Sequence, residues 1–155
     1  MTTVGVNMNK VIIFDIDGTI ADCTHRLYLI QGENKDWDMF HAKCISDRRI
    51  NSMIEMLNAL EPRNEIVYCT TRPDSSEKLT RSWLKRNVSG YCENDKILMR
   101  KSIDHRPDHI VKPLNLLKAG LPPDKVLFIV EDRSSVVKAL RDAGYKVIQC
   151  DEGNY

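Results

Sequence analysis

Two aspartates stand one residue apart at the end of an apolar run, in "VIIFDIDGT" from Val11 to Thr19. A strand that finishes by crowding the negative charges of Asp15 and Asp17 needs a partner for them. A turn is the plainest reading, since Asp and Gly both favour turns. A calcium loop is a second, because "DIDG" resembles its opening, but that loop requires Gly at its sixth position and Glu at its twelfth. Ile20 and Arg26 stand at those places, which excludes it. The third is a hard-cation site, in which Mg²⁺ takes one or two carboxylates and a substrate phosphate.

The same crowding recurs at Glu131 and Asp132, directly after "VLFIV". Asp132 or Ser134 would serve as a helix cap there, yet capping asks for no adjacent glutamate. Four carboxylates at two strand ends point to one shared metal. A third apolar run, "IVYC", ends in Thr70, Thr71 and Arg72; a small hydroxyl with loop amides suits phosphate oxygens. Lys112 by itself reads as a solvated charge. Its value lies in the order along the chain: acid pair, hydroxyl, lysine, acid pair.

These residues need a scaffold that brings strand ends together. Val11–Phe14, Ile66–Cys69, Ile97–Met99, Val126–Val130 and Val147–Cys150 are short continuous apolar runs, as expected of strands buried on both faces. Between them lie helical repeats: Ile50, Met53, Ile54 and Leu57; Leu79, Trp83 and Leu84; Ile110, Leu114 and Leu117, with Gly120 as a stop and Pro113 obscuring the start; and Val136, Val137, Leu140 and Ala143, stopped by Gly144. The alternation predicts an α/β fold, a doubly wound parallel five-stranded sheet, in one domain over residues 1–155. Ligands of such sheets bind beyond the C-terminal strand ends. The segment from about 21 to 49 breaks the alternation and reads as a small cap-like insertion, too short for a separate cap domain.

Composition narrows the function. Of 155 residues, 23 are Lys or Arg and 22 are Asp or Glu, for a formal charge of +1, so no whole-molecule field grips nucleic acid or membrane. No apolar run is long enough to span a bilayer, and the opening "MTTVGVNMNK" has no signal core. A cytoplasmic protein with no membrane partner is expected. The five cysteines include no CxxC pair and read as reduced thiols. Lys78, Arg81 and Lys85, then Arg100, Lys101, His105 and Arg106, form a local basic group. Trp37 and Trp83 are candidates for stacking on bases, although the helical spacing of Trp83 from Leu79 favours core packing.

The chain resembles the haloacid dehalogenase superfamily of phosphatases, whose motifs are DxDGT, a strand-end Ser/Thr, a Lys and a terminal acidic pair; "DIDGT", Thr70, Lys112 and "ED" match them. It looks most like the 3′-phosphatase domain of phage polynucleotide kinase-phosphatases. Arg26, eleven residues after Asp15, Arg72, two after Thr70, and Asp108, four before Lys112, match that pattern, as does the ending "EDRSSVVKALRDAGYKVIQCDEGNY". Thr71, Pro113 and Glu131 depart from it, the family having Gly often at the first and Asp usually at the last. No GxxxxGK[ST] occurs, so the ATP-binding kinase half is absent from this sequence.

The resemblance implies Asp15 as nucleophile, forming an aspartyl-phosphate, and Asp17 as acid and then base. Thr70 and Lys112 complete the catalytic set. Thr71, Arg26, Arg72 and Asp108 fall to substrate binding, and Asp15, Asp17, Glu131 and Asp132 to Mg²⁺. Asp17 contributes through its main-chain carbonyl, and Glu131 through water or by steadying Lys112. The expected partners are phosphorylated nucleic-acid ends or nucleotides, with a 3′-phosphatase preferred. A nucleoside 5′-monophosphatase, a broad small-molecule phosphatase and a non-catalytic phospho-end-binding module stand as alternatives. Oligomeric state is open.

Overall fold

The structure is a computed structural model that describes residues 10–153; the closing Asn154 and Tyr155 of the family-like ending lie outside the described residues. The elements run β1 (Val11–Phe14), β2 (Ala21–Asp22), α1 (Trp37–Ala42), β3 (Arg48–Arg49), α2 (Asn51–Leu60), β4 (Ile66–Pro73), α3 (Glu77–Asn87), β5 (Ile97–Arg100), α4 (Asp108–Lys118), β6 (Val126–Arg133), α5 (Ser134–Asp142) and β7 (Val147–Gly153), with short 3₁₀ turns between. Five strands form one sheet in the order β5-β4-β1-β6-β7, and every neighbouring pair is parallel.

Alternating side chains send each strand to two cores. Ile12, Phe14, Tyr68 and Val130 pack with Ile54 and Leu57 of α2 and Trp83 and Leu84 of α3. Ile13, Val67 and Ile129 pack on the other face with Leu116 of α4 and Val136, Val137 and Leu140 of α5. Each fully buried aliphatic side chain of this kind contributes about 1.5–3 kcal/mol. From β1 the chain moves outward to β4 and β5, then returns across the sheet to β6 and β7. The winding therefore reverses between β1 and β6, the place where an open α/β sheet leaves a crevice at its C-terminal edge.

Two strands continue past their apolar runs. β4 reaches Pro73 and β6 reaches Arg133, each with a register irregularity, after Cys69 and after Glu131 respectively. The polar residues named from the sequence thus lie within the ladders, where a bulge re-aims side chains.

The expected α4 forms, but its buried face is rotated from the expected stripe. Val111, Lys112 and Leu116 are buried, whereas Ile110 and Leu117 are 41% and 53% exposed. The reason is Lys112: its ammonium is drawn inward to carboxylates, and the helix turns with it. Pro113 is accommodated inside the helix. Gly120 and Gly144 close α4 and α5 with positive φ, and in each case the following amide bonds back to a carbonyl of the last turn, Leu121 to Leu116 and Tyr145 to Leu140.

Residues 21–49 leave and rejoin through the antiparallel pair β2–β3, Ala21 opposite Arg49 and Asp22 opposite Arg48. Between them lie a 3₁₀ segment, Thr24–Ile30, and α1, which Asp36 caps by accepting from the Met39 amide at 2.9 Å.

Candidate active site

Asp15 follows Ile13 in the strand alternation, so its carboxylate faces α4. Lys112 Nζ donates to Asp15 Oδ1 at 2.6 Å and to Glu131 Oε2 at 2.5 Å. Thr19 Oγ1 donates to Asp15 Oδ2 at 2.9 Å and lies 3.5 Å from Asp132 Oδ1, bridging the two strand ends. Glu131 Oε1 accepts from the main-chain amides of Asp132 and Arg133. Oxygens of Asp15, Glu131 and Asp132 lie within 4.8 Å of one another, all three residues buried.

The Lys112 ammonium bonds two of three buried carboxylates that converge here. Burial, Glu131 and Asp132 hold the Asp15 carboxyl well above the usual range despite Lys112. Burial would lower Lys112, but Asp15 and Glu131 override it and keep the ammonium protonated. Three converging carboxylate oxygen donors fit a hard divalent cation.

Asp17 is held differently. Arg26 Nη2 and Arg72 Nη2 each donate to Asp17 Oδ1 at 2.6 Å, and Arg72 Nε donates to Oδ2 at 3.1 Å. Burial would raise its carboxyl, but Arg72 and Arg26 together force it well below the carboxylate range. Both guanidiniums are themselves anchored by Asp47. Arg26 donates to it through Nε at 2.8 Å and Nη2 at 2.7 Å, and Arg72 through Nη2 at 3.0 Å. His25 Nε2 lies 2.8 Å from Asp47 Oδ1, and the Trp83 indole N–H donates to the Asp47 carbonyl at 2.8 Å. Arg72 also donates to Thr80 Oγ1 at 3.2 Å, and the Arg26 guanidinium carbon sits 4.1 Å from the Phe40 ring centre.

Alternation along β4 sorts its polar end. Arg72 points to the α3 face, and Thr71 to the α4 face, where Thr71 Oγ1 donates to Asp108 Oδ2 at 3.2 Å. Asp108 also accepts from Arg100 Nη2 at 2.5 Å and from Arg133 Nη1. Arg100 ties down the following loop through the carbonyls of Asp104 and Arg106. Thr70 Oγ1 accepts from the Arg72 amide at 3.2 Å. The named residues therefore fall into three contiguous groups: Asp15, Lys112, Glu131 and Asp132; Asp17, Arg26 and Arg72; and Thr71 with Asp108. Thr70 lies at the β4 end.

The sequence reasoning missed Asp47, Thr19 as a bridge, and Gly153; Arg100, expected in a local basic group, instead holds Asp108. Asp47 carries no spacing signal, since it enters from the end of the insertion. Thr19 is the last residue of "DIDGT", and that motif is the signal that marks it. Gly153 backs onto Asp132: a Cβ there would lie 2.1 Å from Asp132 Oδ2. The basic group on α3 lines a surface groove of about 620 Å³ with Asp74, Glu77 and Glu93. Two of its three cations are matched, Arg81 with Glu77 at 2.9 Å and Lys85 with Glu93 at 3.5 Å, and it contains none of the strand-end carboxylates, so the chemistry lies elsewhere.

A strand-order reversal with carboxylates on both flanking strand ends and a buried lysine between them defines a phosphatase of the haloacid dehalogenase type. The family model for the polynucleotide kinase PNKP phosphatase domain matches residues 9–155, and the chain belongs to that family. Among solved structures, a chain of the Pnkp1/Rnl/Hen1 complex superposes with a TM-score of 0.74 at 22% identity, over 94% of this chain and 47% of that one. The chain thus spans about half the length of that structure. The class C acid phosphatase of Bacillus anthracis with tungstate bound gives 0.66 at 18% identity, over 95% and 68%. A haloacid dehalogenase family enzyme of Bacteroides thetaiotaomicron, in complex with magnesium and inorganic phosphate, gives 0.57 at 12%, over 95% and 96%. No curated protein matches. Among the described residues no helix is long and apolar enough to cross a membrane.

Proposed function

We propose that this phosphatase removes a terminal 3′-phosphate from nucleic acid or a nucleoside 3′-phosphate, leaving a hydroxyl. The observation that carries the proposal is the pair of guanidiniums of Arg26 and Arg72, fixed beside Asp17 and a strand end away from Asp15 and Lys112. Family membership supports the same end chemistry, and a structural neighbour comes from an RNA repair complex. Residues 1–155 act as one phosphatase unit with 21–49 as a small cap-like insertion that supplies Arg26 and Asp47.

Asp15 and Asp132, with Glu131 in the same oxygen group, would hold Mg²⁺, and the family resemblance adds the main-chain carbonyl of Asp17. When bound, the ion neutralises charge on the phosphoryl oxygens. Lys112 supplies the positive charge of the chain itself at that place, and Thr70 with the adjoining amides orients the oxygens. An Asp15 oxygen bonds to phosphorus while the phosphorus–O3′ bond breaks, its electron pair going to O3′, which takes a proton from Asp17. Water then attacks phosphorus, Asp17 accepts its proton, and inorganic phosphate leaves Asp15 free. Clamped by two arginines, Asp17 rests as a base. To act as the acid it first takes up a proton from solvent, which the negative charge of a phosphoryl group bound beside it favours. Thr71, with Asp108 behind it, lines the substrate side.

The test is phosphate release from matched DNA and RNA oligonucleotides carrying a 3′ or a 5′ phosphate, beside free nucleotides. Release from 3′ ends is expected to dominate. A clear preference for 5′-monophosphates overturns the end assignment and promotes the nucleotidase alternative.

A further inference from the structure

We infer that Trp37 is a stacking platform for the nucleobase that adjoins the scissile phosphate, and so a specificity element supplied by the insertion. The inference rests on the nucleic-acid reading above. The two tryptophans part company in the fold. Trp83 is fully buried and its N–H is spent on the Asp47 carbonyl, so it has no face to offer a ligand. Trp37 opens α1 and remains 47% exposed.

Neighbouring rings brace Trp37. It packs edge-on to Phe40, with centroids 5.8 Å apart at 85°, and nearly parallel to His41, at 6.0 Å and 23°. Phe40 and His41 are themselves in contact at 5.3 Å. Burial pulls His41 down to about 4, which leaves the imidazole neutral and the stack unaltered near neutral pH. Phe40 is buried and carries the Arg26 guanidinium on its face, and Arg26 holds Asp17. The contacts therefore run from Asp17, through the Arg26 guanidinium and the buried Phe40 ring, to a half-exposed ring at the surface. Arg26 and Phe40 are buried, so the base would meet Trp37 from the solvent side.

The surroundings select the occupant. Lys35 Nζ lies 5.9 Å from the Trp37 ring centre and Lys43 Nζ lies 5.3 Å from that of Tyr28. Tyr28 is itself 58% exposed. Aromatic faces alternating with ammonium groups suit a single strand, whose bases stack while its phosphates meet cations. A purely apolar partner would leave those ammonium groups without counter-charge.

Steady-state kinetics of the wild type, Trp37→Ala and Trp37→Phe would be measured on a 3′-phosphorylated oligonucleotide with its terminal base intact and on the same strand with that sugar abasic. Stacking is worth about 1–3 kcal/mol per base, so Trp37→Ala should raise KM on the intact strand roughly 5- to 150-fold. It should leave kcat and the abasic strand near wild type, and Trp37→Phe should recover most of the loss. As a second readout, a 3′-phosphorylated oligonucleotide should quench tryptophan emission in Asp15→Asn, and not in Asp15→Asn/Trp37→Phe. Equal losses on both strands, or quenching that survives Trp37→Phe, overturn the platform. So does a Trp37→Ala that leaves oligonucleotide kinetics unchanged but dissociates a dimer, which would give the face to a second copy. If the wild type prefers 5′ phosphates, the end assignment fails separately. The same intact and abasic comparison on 5′-phosphorylated strands then decides the platform.

Discussion

Asp15 and Asp17 stand two residues apart, and their surroundings neutralise them in opposite ways. Around Asp15, three buried carboxylates share one ammonium. Around Asp17, two carboxylates, Asp17 and Asp47, face two guanidiniums, with His25 alongside. The first group gathers three carboxylate oxygens into one place; the second sets each carboxylate against both guanidiniums. The forks of Arg26 and Arg72 are already occupied by Asp17 and Asp47, so the positive charge they bring beside the first group is fixed by the fold. The group beside Asp15 concentrates negative charge, whereas the group beside Asp17 fixes geometry.

The largest test of that contrast is the nucleophile. Asp15→Asn should lower turnover of every phosphomonoester by roughly 10⁴-fold or more, with the fold intact by circular dichroism. Turnover within tenfold of wild type would remove Asp15 from the chemistry and leave the contrast purely structural.

Next comes Asp47, which anchors the second group without being offered as a substrate ligand. Asp47→Ala leaves two buried guanidiniums under-compensated, and breaking a buried pair costs about 3–5 kcal/mol. Urea unfolding should show a loss of that order. A wild-type midpoint would mean that the arginines do not depend on it.

Metal linkage separates the groups more finely. Mg²⁺ at about one hundred times its Kd should stabilise the protein by about 2.7 kcal/mol, read as a rise in Tm. Asp132→Asn should erase that rise, and Gly153→Ala should blunt it by crowding the Asp132 carboxylate. Asp17→Asn should preserve it, because the Asp17 side chain is committed to the arginines. Loss of the rise in Asp17→Asn would place that carboxylate on the metal.

The smallest effect is in acid. The folded value of Asp17 is depressed, so its contribution is fully present above the ordinary value of about 3.9 and is lost as pH falls below it. Asp17→Asn should therefore flatten the fall in urea midpoint between roughly pH 5 and pH 3. Asp15 has the reverse sign: its raised value makes ionisation near neutral pH a cost until a cation binds. An unchanged acid slope in Asp17→Asn would show that the clamp adds no stability.

Much of this was legible along the chain, for reasons of local physics. Continuous apolar runs identified all five sheet strands because both faces are buried, and Gly120 and Gly144 marked helix ends because the C-cap turn needs positive φ. Asp15, Asp17, Glu131 and Asp132 stood out because charge at the end of a buried strand is costly without a partner. The rest was settled through space. The burial of Lys112 rotates α4 away from the stripe its apolar residues suggest, and no periodicity records the carboxylates that pull it. Asp47 lies 21 residues from Arg26 and 25 from Arg72, so its role exists only once the insertion folds back over β4. Trp37 and Trp83 are the same residue type in similar helical settings; which is core and which is surface depends on what packs against each helix, and only the tertiary structure decides that.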